Sequence, residues 1–142
     1  MKKIALVSCT KLKRNFPCEA QEMYLPSTLF QKITMYIKQS GFDEWYILSA
    51  KYGLLRKETV ISPYDITLLN MKAEDRKNWA EKVAANLLEV LPDECEIYCF
   101  AGEKYRQYLL PKIEEAGLNC RIPLKGMQIG EQLQYLNNRI KN

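Results

Sequence analysis

The stretch Lys3-Ile4-Ala5-Leu6-Val7-Ser8-Cys9-Thr10-Lys11 begins as an apolar strand and passes directly into a polar loop. Two later stretches repeat this change: Leu48-Ser49-Ala50-Lys51-Tyr52-Gly53 and Phe100-Ala101-Gly102-Glu103-Lys104-Tyr105-Arg106. In an open α/β sheet, ligand sites lie at the carboxyl ends of the strands. The sequence therefore predicts one pocket where these three strand ends converge. Small residues beside Lys, Glu and Arg favour an anionic or nucleotide-like ligand.

Strand and helix patterns alternate along the whole chain. Strands are predicted over Lys3–Ser8, Glu44–Ser49, Cys95–Phe100 and Leu118–Ile122. Apolar residues at the 3.6 period predict helices over 28–39, 71–91, 103–116 and 128–140. This order is typical of a single-domain α/β three-layer sandwich, with a mostly parallel sheet of about four strands and helices on both faces.

The boundaries of these elements follow from capping and turn residues. Ser27 and Asn70 are the expected N-caps of the first two long helices. Residues 51–69 lack clear periodicity and contain Gly53 and Pro63, so we expect a long loop there. Loops of that length inside a compact domain are usually functional.

The composition indicates one globular domain over residues 1–142, because a chain of this length can bury a sizeable core. The net charge of +4 is compatible with a nucleic-acid partner without being diagnostic of one. No stretch approaches the roughly 20 apolar residues that cross a bilayer, and the N-terminus lacks the pattern of a signal peptide. We therefore expect a cytoplasmic protein with no membrane partner. The oligomeric state stays open.

Histidine is absent, which removes the commonest general base and metal ligand. The five cysteines are an odd number at irregular spacing, which argues against a disulfide framework. Cys95 and Cys99 lie four apart on a predicted strand, about 13 Å from each other. Two thiolates that share a zinc ion are much closer, since each Zn–S bond is about 2.3 Å. We expect neither a metal nor a cofactor.

The first polar loop combines hydroxyls, a thiol and cations. Its backbone N–H groups can form an anion-binding concavity, with Ser8, Thr10, Lys11 and Lys13 as candidate ligand contacts. Cys9 is a candidate catalytic nucleophile. The alternative is a solvated basic turn with a half-buried structural cysteine.

The segment after the second strand offers a second set of candidates. Lys51 is a candidate catalytic amine that also holds a phosphate or carboxylate, and Ser49 allows close approach of a ligand. Tyr52 is a candidate donor or base, and Gly53 permits the positive φ of a chain reversal. The alternative is a strand end followed by a glycine turn.

Two carboxylates are candidates for general acid and base chemistry. Asp65 follows Pro63-Tyr64, where it could instead satisfy backbone donors of a turn. Glu103 begins a helix behind Gly102, whose exposed backbone N–H groups attract anions. Arg106, a candidate ligand contact like Gly102, lies on the same side as Glu103 and is expected to pair with it. Alternatively, Glu103 only compensates the helix dipole.

These segments, in this order, resemble a family of small, mostly uncharacterised bacterial and phage proteins. The motifs are Ser-Cys-x-x-Lys, Tyr-x-x-Ser-x-x-Phe, Leu-Ser-Ala-Lys-x-Gly-Leu, Pro-Tyr-Asp, Ala-Gly-Glu-x-Tyr-Arg and a closing Leu-x-Gly-x-x-Ile-Gly-x-Gln-Leu. In this chain they stand at 8–13, 24–30, 48–54, 63–65, 101–106 and 124–133.

More remotely, the first loop and Tyr24-x-x-Ser27 are similar to the core of archaeosine synthases, which modify a deazaguanine base in tRNA. That resemblance implies Tyr24 and Ser27 as ligand contacts, although Phe30 stands at the position of the family's histidine. A looser likeness to the peroxide-stress YaaA proteins, which are associated with DNA binding, also implies a nucleic-acid ligand.

The leading hypothesis is an enzyme that acts on a nucleobase, nucleotide or nucleic acid through a pocket lined by Lys, Ser and Cys. The second hypothesis is a non-catalytic protein that binds or senses nucleic acid. The third is a stress-related or phage accessory protein with a protein partner. The sequence does not assign a reaction.

Overall fold

The computed structural model describes residues 1–141, and these form a five-stranded sheet between two layers of helices. The strands are β1 (Lys2–Ser8), β2 (Cys18–Glu19), β3 (Glu44–Ser49), β4 (Gly53–Arg56), β5 (Val60–Ile61), β6 (Cys95–Phe100) and β7 (Asn119–Arg121). The helices are α1 (Ala20–Met23), α2 (Thr28–Gln39), α3 (Ala73–Val90), α4 (Glu103–Arg106), α5 (Leu109–Glu115) and α6 (Ile129–Arg139), with a 3₁₀ turn at Leu68–Asn70.

The sheet has the strand order β4-β3-β1-β6-β7. Strand β1 runs parallel to β3 and β6, β7 runs parallel to β6, and only the edge strand β4 is antiparallel. Because right-handed crossovers leave β1 and β3 in opposite directions, α2 lies on one face and α3 on the other. Helix α6 packs beside α2, and α5 packs beside α3. The predicted α/β sandwich is confirmed.

Strand β1 is the middle strand of the sheet, and it is buried on both faces. Ala5 and Leu6 have no exposed surface, and neither do Ile47 and Leu48 on β3 or Ile97 on β6. Continuous apolar runs of this kind are typical of parallel strands covered on both sides. The carboxyl ends of β1, β3 and β6 are thereby fixed next to one another.

The predicted long loop over residues 51–69 is wrong, because it contains β4, β5 and the 3₁₀ turn. Gly53 has φ +73°, which lets the chain reverse at once and pair Leu54 with Leu48. Strand β5 pairs with β2 outside the main sheet. These strands are only four and two residues long, too short for a periodic pattern to be visible.

Two predicted helices also differ. Helix α3 begins after Lys72 rather than Asn70, because Asn70 ends the 3₁₀ turn that Thr67 caps through its hydroxyl. The helix predicted over 103–116 is divided into α4 and α5. Pro111 has no N–H to donate to Gln107, so an uninterrupted helix would lose a hydrogen bond there. In contrast, Ser27 caps α2 as predicted, with its hydroxyl accepting the Phe30 N–H at 3.3 Å.

Within residues 1–141, no helix has both the length and the apolar character needed to cross a membrane.

Gly53→Ala is expected to cost about 1 kcal/mol or more of the free energy of unfolding, because an L side chain is disfavoured at positive φ. The added Cβ itself would lie 3.6 Å from Val83 Cγ2, an ordinary contact. Gly130→Ala is the matched control: Gly130 lies in α6 with no atom within 4 Å of an added Cβ, so this change should stabilise by up to about 1 kcal/mol. Urea unfolding measures whether each change lowers or raises the free energy of unfolding. If Gly53→Ala leaves it unchanged, the argument from positive φ is wrong.

Candidate functional site

The chain leaves β1 and β6 in opposite directions, and this creates a crevice at their carboxyl ends. Strand β1 is followed in the sheet by β3 on one side, whereas β6 is followed by β7 on the other. Such a switch point is where open α/β sheets bind ligands. The segments that border it are Ser8–Lys11 after β1 and Ala101–Gly102 after β6.

Two cavities flank this crevice instead of one. Successive side chains at the end of an extended strand alternate between its two faces. Ser8 accordingly lines a cavity beside α2 and α6, whereas Cys9 lines a second cavity beside the 3₁₀ turn, and Thr10 touches both. The converging strand ends of the sequence prediction therefore correspond to two separate spaces.

The larger space, the Cys9 cavity, has a volume of about 520 Å³. Its wall includes Cys9, Lys11, Lys13, Asp65, Thr67 and Tyr105. The structure thus brings together the predicted thiol, two predicted cations and the predicted carboxylate from loops that are far apart in sequence. None of the ion pairs within the described residues involves Lys11, Lys13 or Asp65. The cavity therefore combines a thiol with charges of both signs that form no ion pair.

Two hydrogen bonds hold the Cys9 sulfur. Its Sγ lies 3.1 Å from the Tyr105 hydroxyl oxygen, and it accepts the Ala50 N–H at 3.4 Å. The ring of Tyr105 is fixed by an edge contact with Trp79, centroid to centroid 5.6 Å. Burial, and then the neighbouring Cys9, raise the pKa of the Tyr105 phenol well above its usual range. The phenol therefore keeps its proton near neutral pH and can donate it to the sulfur.

A buried hydroxyl network lies beneath this site. Tyr64 accepts a hydrogen bond from Ser49 Oγ at 2.9 Å and shares another with the Tyr24 hydroxyl at 2.7 Å. Ser49 Oγ in turn accepts the Tyr52 N–H at 3.0 Å. Burial is the main cause that raises the pKa of both Tyr24 and Tyr64. The network ties β3 to the loop that carries Asp65.

Several predicted ligand contacts lie outside both cavities. Ser49 and Tyr24 have no exposed surface and use their hydroxyls inside the network, and Ser27 caps α2. Gly53 opens the turn into β4. Lys51 and Tyr52 are exposed beside this turn, with Lys51 Nζ 5.3 Å from the centroid of the Tyr52 ring. Ligand contact by these residues stays a prediction.

The smaller space, the Arg106 cavity, has a volume of about 330 Å³. Its polar wall includes Ser8, Thr10, Glu103, Arg106, Lys125 and Gln132, and much of the remaining wall consists of apolar residues from α2, from β6 and from the segment before α6. The expected pair between Glu103 and Arg106 is absent from the ion pairs of residues 1–141. Glu103 is exposed, so water solvates its carboxylate without the guanidinium.

Arg106 also carries a buried donor without a partner, since its Nε is buried and forms no hydrogen bond within the described structure. A buried unsatisfied donor costs about 1–3 kcal/mol. The residue Arg106 also lines the cavity that bears its name, where its guanidinium is the cationic group from α4.

Arg106→Met is therefore expected to leave the free energy of unfolding unchanged or to raise it by about 1 kcal/mol, because it removes the unpaired donor and keeps the apolar stem. Arg121→Met is the control, since the Arg121 guanidinium pairs with Glu96 at 2.9 Å on an exposed strand. That change should cost no more than about 1 kcal/mol. Urea unfolding compares the two, and a loss above about 2 kcal/mol for Arg106→Met would assign Arg106 a structural role.

The sequence did not predict three residues of the site, namely Tyr64, Trp79 and Tyr105. Tyr105 and Tyr64 stand inside motifs that were singled out, but their neighbours Glu103, Arg106 and Asp65 were chosen as candidates instead. Trp79 donates its Nε1–H to the Ser49 carbonyl at 2.9 Å, and its position in the apolar stripe of α3 indicated only core packing. No local signal distinguishes a tyrosine that faces a cavity from one that faces the core.

Comparison with known proteins places the chain in a family. Residues 4–138 match a family of unknown function, DUF6884. The chain belongs to this family. It is also similar to the uncharacterised protein YfjM of Bacillus subtilis strain 168, with 32% identity over 99% of this chain and 97% of that protein. No solved structure matches it. These relatives agree with the expectation of an uncharacterised bacterial family.

Proposed function

We propose that this protein is an enzyme that acts on a nucleobase or nucleotide in the Cys9 cavity. The observation that carries the proposal is the position of the Cys9 thiol, between the Tyr105 hydroxyl and the Ala50 N–H, in a cavity that also contains Lys11 and Lys13. A thiol needs an adjacent proton carrier to act as a nucleophile, and an anionic substrate needs cations beside it.

The chemistry that this arrangement supports is addition of the thiol to an electrophilic C=N carbon of a heterocyclic base. The S–C bond forms while the C=N π electron pair moves to the ring nitrogen. Tyr105 gives its proton to that nitrogen and receives the proton of the thiol, so the net change is addition of S–H across C=N. Asp65, in the same cavity, is the alternative acceptor of the thiol proton.

Lys11 and Lys13 would hold the phosphate or another anionic group of the substrate. Lys11 is exposed and Lys13 half-buried at the cavity wall, and neither pairs with a described carboxylate. The Arg106 cavity, which meets the Cys9 cavity at Thr10, would take a second ligand with an acceptor for Arg106.

The resemblance of the first loop to archaeosine synthases and the looser likeness to YaaA proteins support a nucleobase or nucleic-acid ligand. All five cysteines are free thiols, which supports the expected cytoplasmic location.

Nucleotide binding is the first test. Calorimetry with each of the four ribonucleoside monophosphates is expected to detect binding of at least one, and Lys11→Met combined with Lys13→Met should weaken it about tenfold or more. Lys38→Met is the matched control, because Lys38 is exposed at the carboxyl end of α2, away from both cavities. Equal losses in the double variant and in the control would refute the cation role, and no binding of any nucleotide would refute the proposal.

Reactivity of the thiol is the second test. Alkylation by iodoacetamide, read out at each cysteine by mass spectrometry, is expected to modify Cys9 and to slow at that residue alone when the nucleotide is bound. Tyr105→Phe removes the hydroxyl that is hydrogen-bonded to the sulfur and should change the alkylation rate of Cys9 without changing that of Cys18. If saturating nucleotide leaves the Cys9 rate unchanged, the nucleotide does not occupy the Cys9 cavity.

A further inference from the structure

A band of cations and aromatic rings lies beside the Cys9 cavity, and its member Lys13 is part of the cavity wall. We call it the cation–aromatic stripe, and its members are Phe16, Arg14, Lys13, Tyr64, Tyr52 and Lys51. The sequence shows none of this continuity, because the members come from three separate loops.

Contacts join the members of the stripe in two groups. Lys13 Nζ lies 4.6 Å from the centroid of the Tyr64 ring, whose centroid is 5.6 Å from that of Tyr52. Lys51 Nζ lies 5.3 Å from the Tyr52 centroid at the far end. Next to Lys13 in the chain, the Arg14 guanidinium carbon lies 5.6 Å from the Phe16 centroid.

The aromatic members at the two ends are open to solvent. Phe16 is 49% exposed and Tyr52 is 37% exposed. Large apolar side chains also surround the cavity mouth, where Ile66 and Leu69 are 44% and 67% exposed. Exposed apolar surface rimmed by charges marks an interaction site.

The charge of the stripe indicates which kind of partner it binds. Lys13 and Lys51, and Lys11 beside them, form no ion pair within residues 1–141, whereas Arg14 pairs with Glu22 at 3.4 Å. Cations without an ion pair, next to the exposed rings of Phe16 and Tyr52, fit a polyanion that presents flat faces. Single-stranded nucleic acid is such a polymer, since its phosphates bind lysines and its unpaired bases stack on aromatic rings. A duplex keeps its base faces covered.

We propose that the cation–aromatic stripe binds single-stranded nucleic acid, and that the substrate base enters the Cys9 cavity as part of that strand. The second half of this inference rests on the proposed function. Lys13 connects the stripe to the Cys9 cavity, because it belongs both to the stripe and to the cavity wall. A strand held along the stripe would pass the mouth of the cavity, where one unstacked base can turn inward.

Fluorescence anisotropy with a labelled oligonucleotide of about 12 nucleotides tests the stripe. The single strand should bind more tightly than the duplex of the same sequence, and its affinity should fall as salt rises because phosphate contacts release counterions. Parallel RNA and DNA strands distinguish the two polymers, since only RNA offers 2′-hydroxyl groups. Polyglutamate serves as a competitor: displacement as effective as that by unlabelled strand would indicate an acidic protein partner and overturn the inference.

Phe16→Ala and Tyr52→Ala should each weaken oligonucleotide binding about fivefold to hundredfold, the loss of one stacked base. Leu88→Ala is the matched control, because Leu88 is a 41% exposed apolar residue on α3 that is not part of the stripe. Circular dichroism checks that each variant is folded. Equal affinity of the wild type, both aromatic variants and the control would overturn the inference.

Mononucleotide binding separates the two proposals. Phe16→Ala should leave the affinity for a mononucleotide unchanged. If a mononucleotide protects Cys9 from alkylation but the single strand binds no more tightly than the mononucleotide, the inference fails and the proposed function stands. If the single strand binds through Phe16 and Tyr52 but neither ligand protects Cys9, the proposed function fails and the stripe stands.

Discussion

Raising the pH from about 8 to about 11 is expected to remove at least about 4 kcal/mol from the free energy of unfolding. Tyr24, Tyr64 and Tyr105 all have phenol pKa values raised above the ordinary 10.0, in each case mainly by burial. Each retains its proton in the folded protein and loses it in the unfolded chain at about pH 10. Each such proton lowers the free energy of unfolding by about 1.4 kcal/mol for every pH unit above 10.

The sign follows from which state binds more protons. Above pH 10 the folded state holds protons that the unfolded state has released, so stability falls as pH rises. Below pH 10 both states are protonated and the contribution of the tyrosines is fully present. Burial also raises the pKa of the Cys99 thiol to about 12, from an ordinary 9.0. This thiol therefore adds a further loss of stability as pH rises, and its loss begins at about pH 9, one pH unit below that of the tyrosines.

Urea unfolding at a series of pH values measures this dependence. Tyr64→Phe is the informative variant, because it removes one titrating phenol and should reduce the tyrosine part of the slope by about a third. Its stability at neutral pH will fall as well, since Tyr24 and Ser49 lose a buried partner, so slopes rather than absolute values are compared. A slope equal in both proteins would mean that Tyr64 ionises as freely in the folded state as in the unfolded chain.

Trp79→Ala is expected to cost about 2–4 kcal/mol of the free energy of unfolding, somewhat below the range of about 3–5 kcal/mol for a fully buried aromatic side chain, because Trp79 is half-buried. The indole packs on the edge of Tyr105 and donates to the Ser49 carbonyl at 2.9 Å. Its loss leaves a space between α3 and the end of β3. Tyr105 would lose the contact that orients its hydroxyl toward Cys9.

Two further variants separate packing from hydrogen bonding at Trp79. Trp79→Phe keeps an aromatic ring and loses the donor, so we expect a smaller cost, near 1 kcal/mol for the lost hydrogen bond. Leu88→Ala on the same helix should stay within about 0.5 kcal/mol, because Leu88 is exposed. Chemical denaturation gives all three values. A loss for Trp79→Ala no larger than that for Leu88→Ala would show that the indole does not support the site.

The alternation of apolar strands and amphipathic helices was enough to predict the central architecture. Strands β3 and β6 and helix α2 have the predicted boundaries, because each is long enough for its period to be visible and each is bounded by a cap or turn residue such as Ser27 or Gly41. Strands β4 and β5 were missed because they are held by pairing with distant segments. The break between α4 and α5 was predictable from Pro111 but was overlooked.

The candidate site was predictable only in part. Parallel strands bring their carboxyl ends to one edge, so the proximity of the Ser8–Lys11 segment to Gly102 and Glu103 follows from the order of elements alone. Asp65 reaches the Cys9 cavity from the irregular segment before the 3₁₀ turn, and Tyr105 reaches it from α4; the positions of both depend on packing. Lys51, chosen for its place at a strand end, lies on the exposed side of a turn that Gly53 makes possible.

By itself the sequence determined the parallel strands of the sheet, its helical layers and the edge at which polar residues collect, because these follow from local periodicity and from the handedness of chain crossovers. The tertiary structure decided how that edge is divided. Side chains alternate at the end of β1, so Ser8 and Cys9 line separate cavities. Long-range packing places the Tyr105 hydroxyl against the Cys9 sulfur and leaves the Arg106 Nε without a hydrogen-bond partner within the described residues. Such contacts join residues that are far apart along the chain, so no local pattern encodes them.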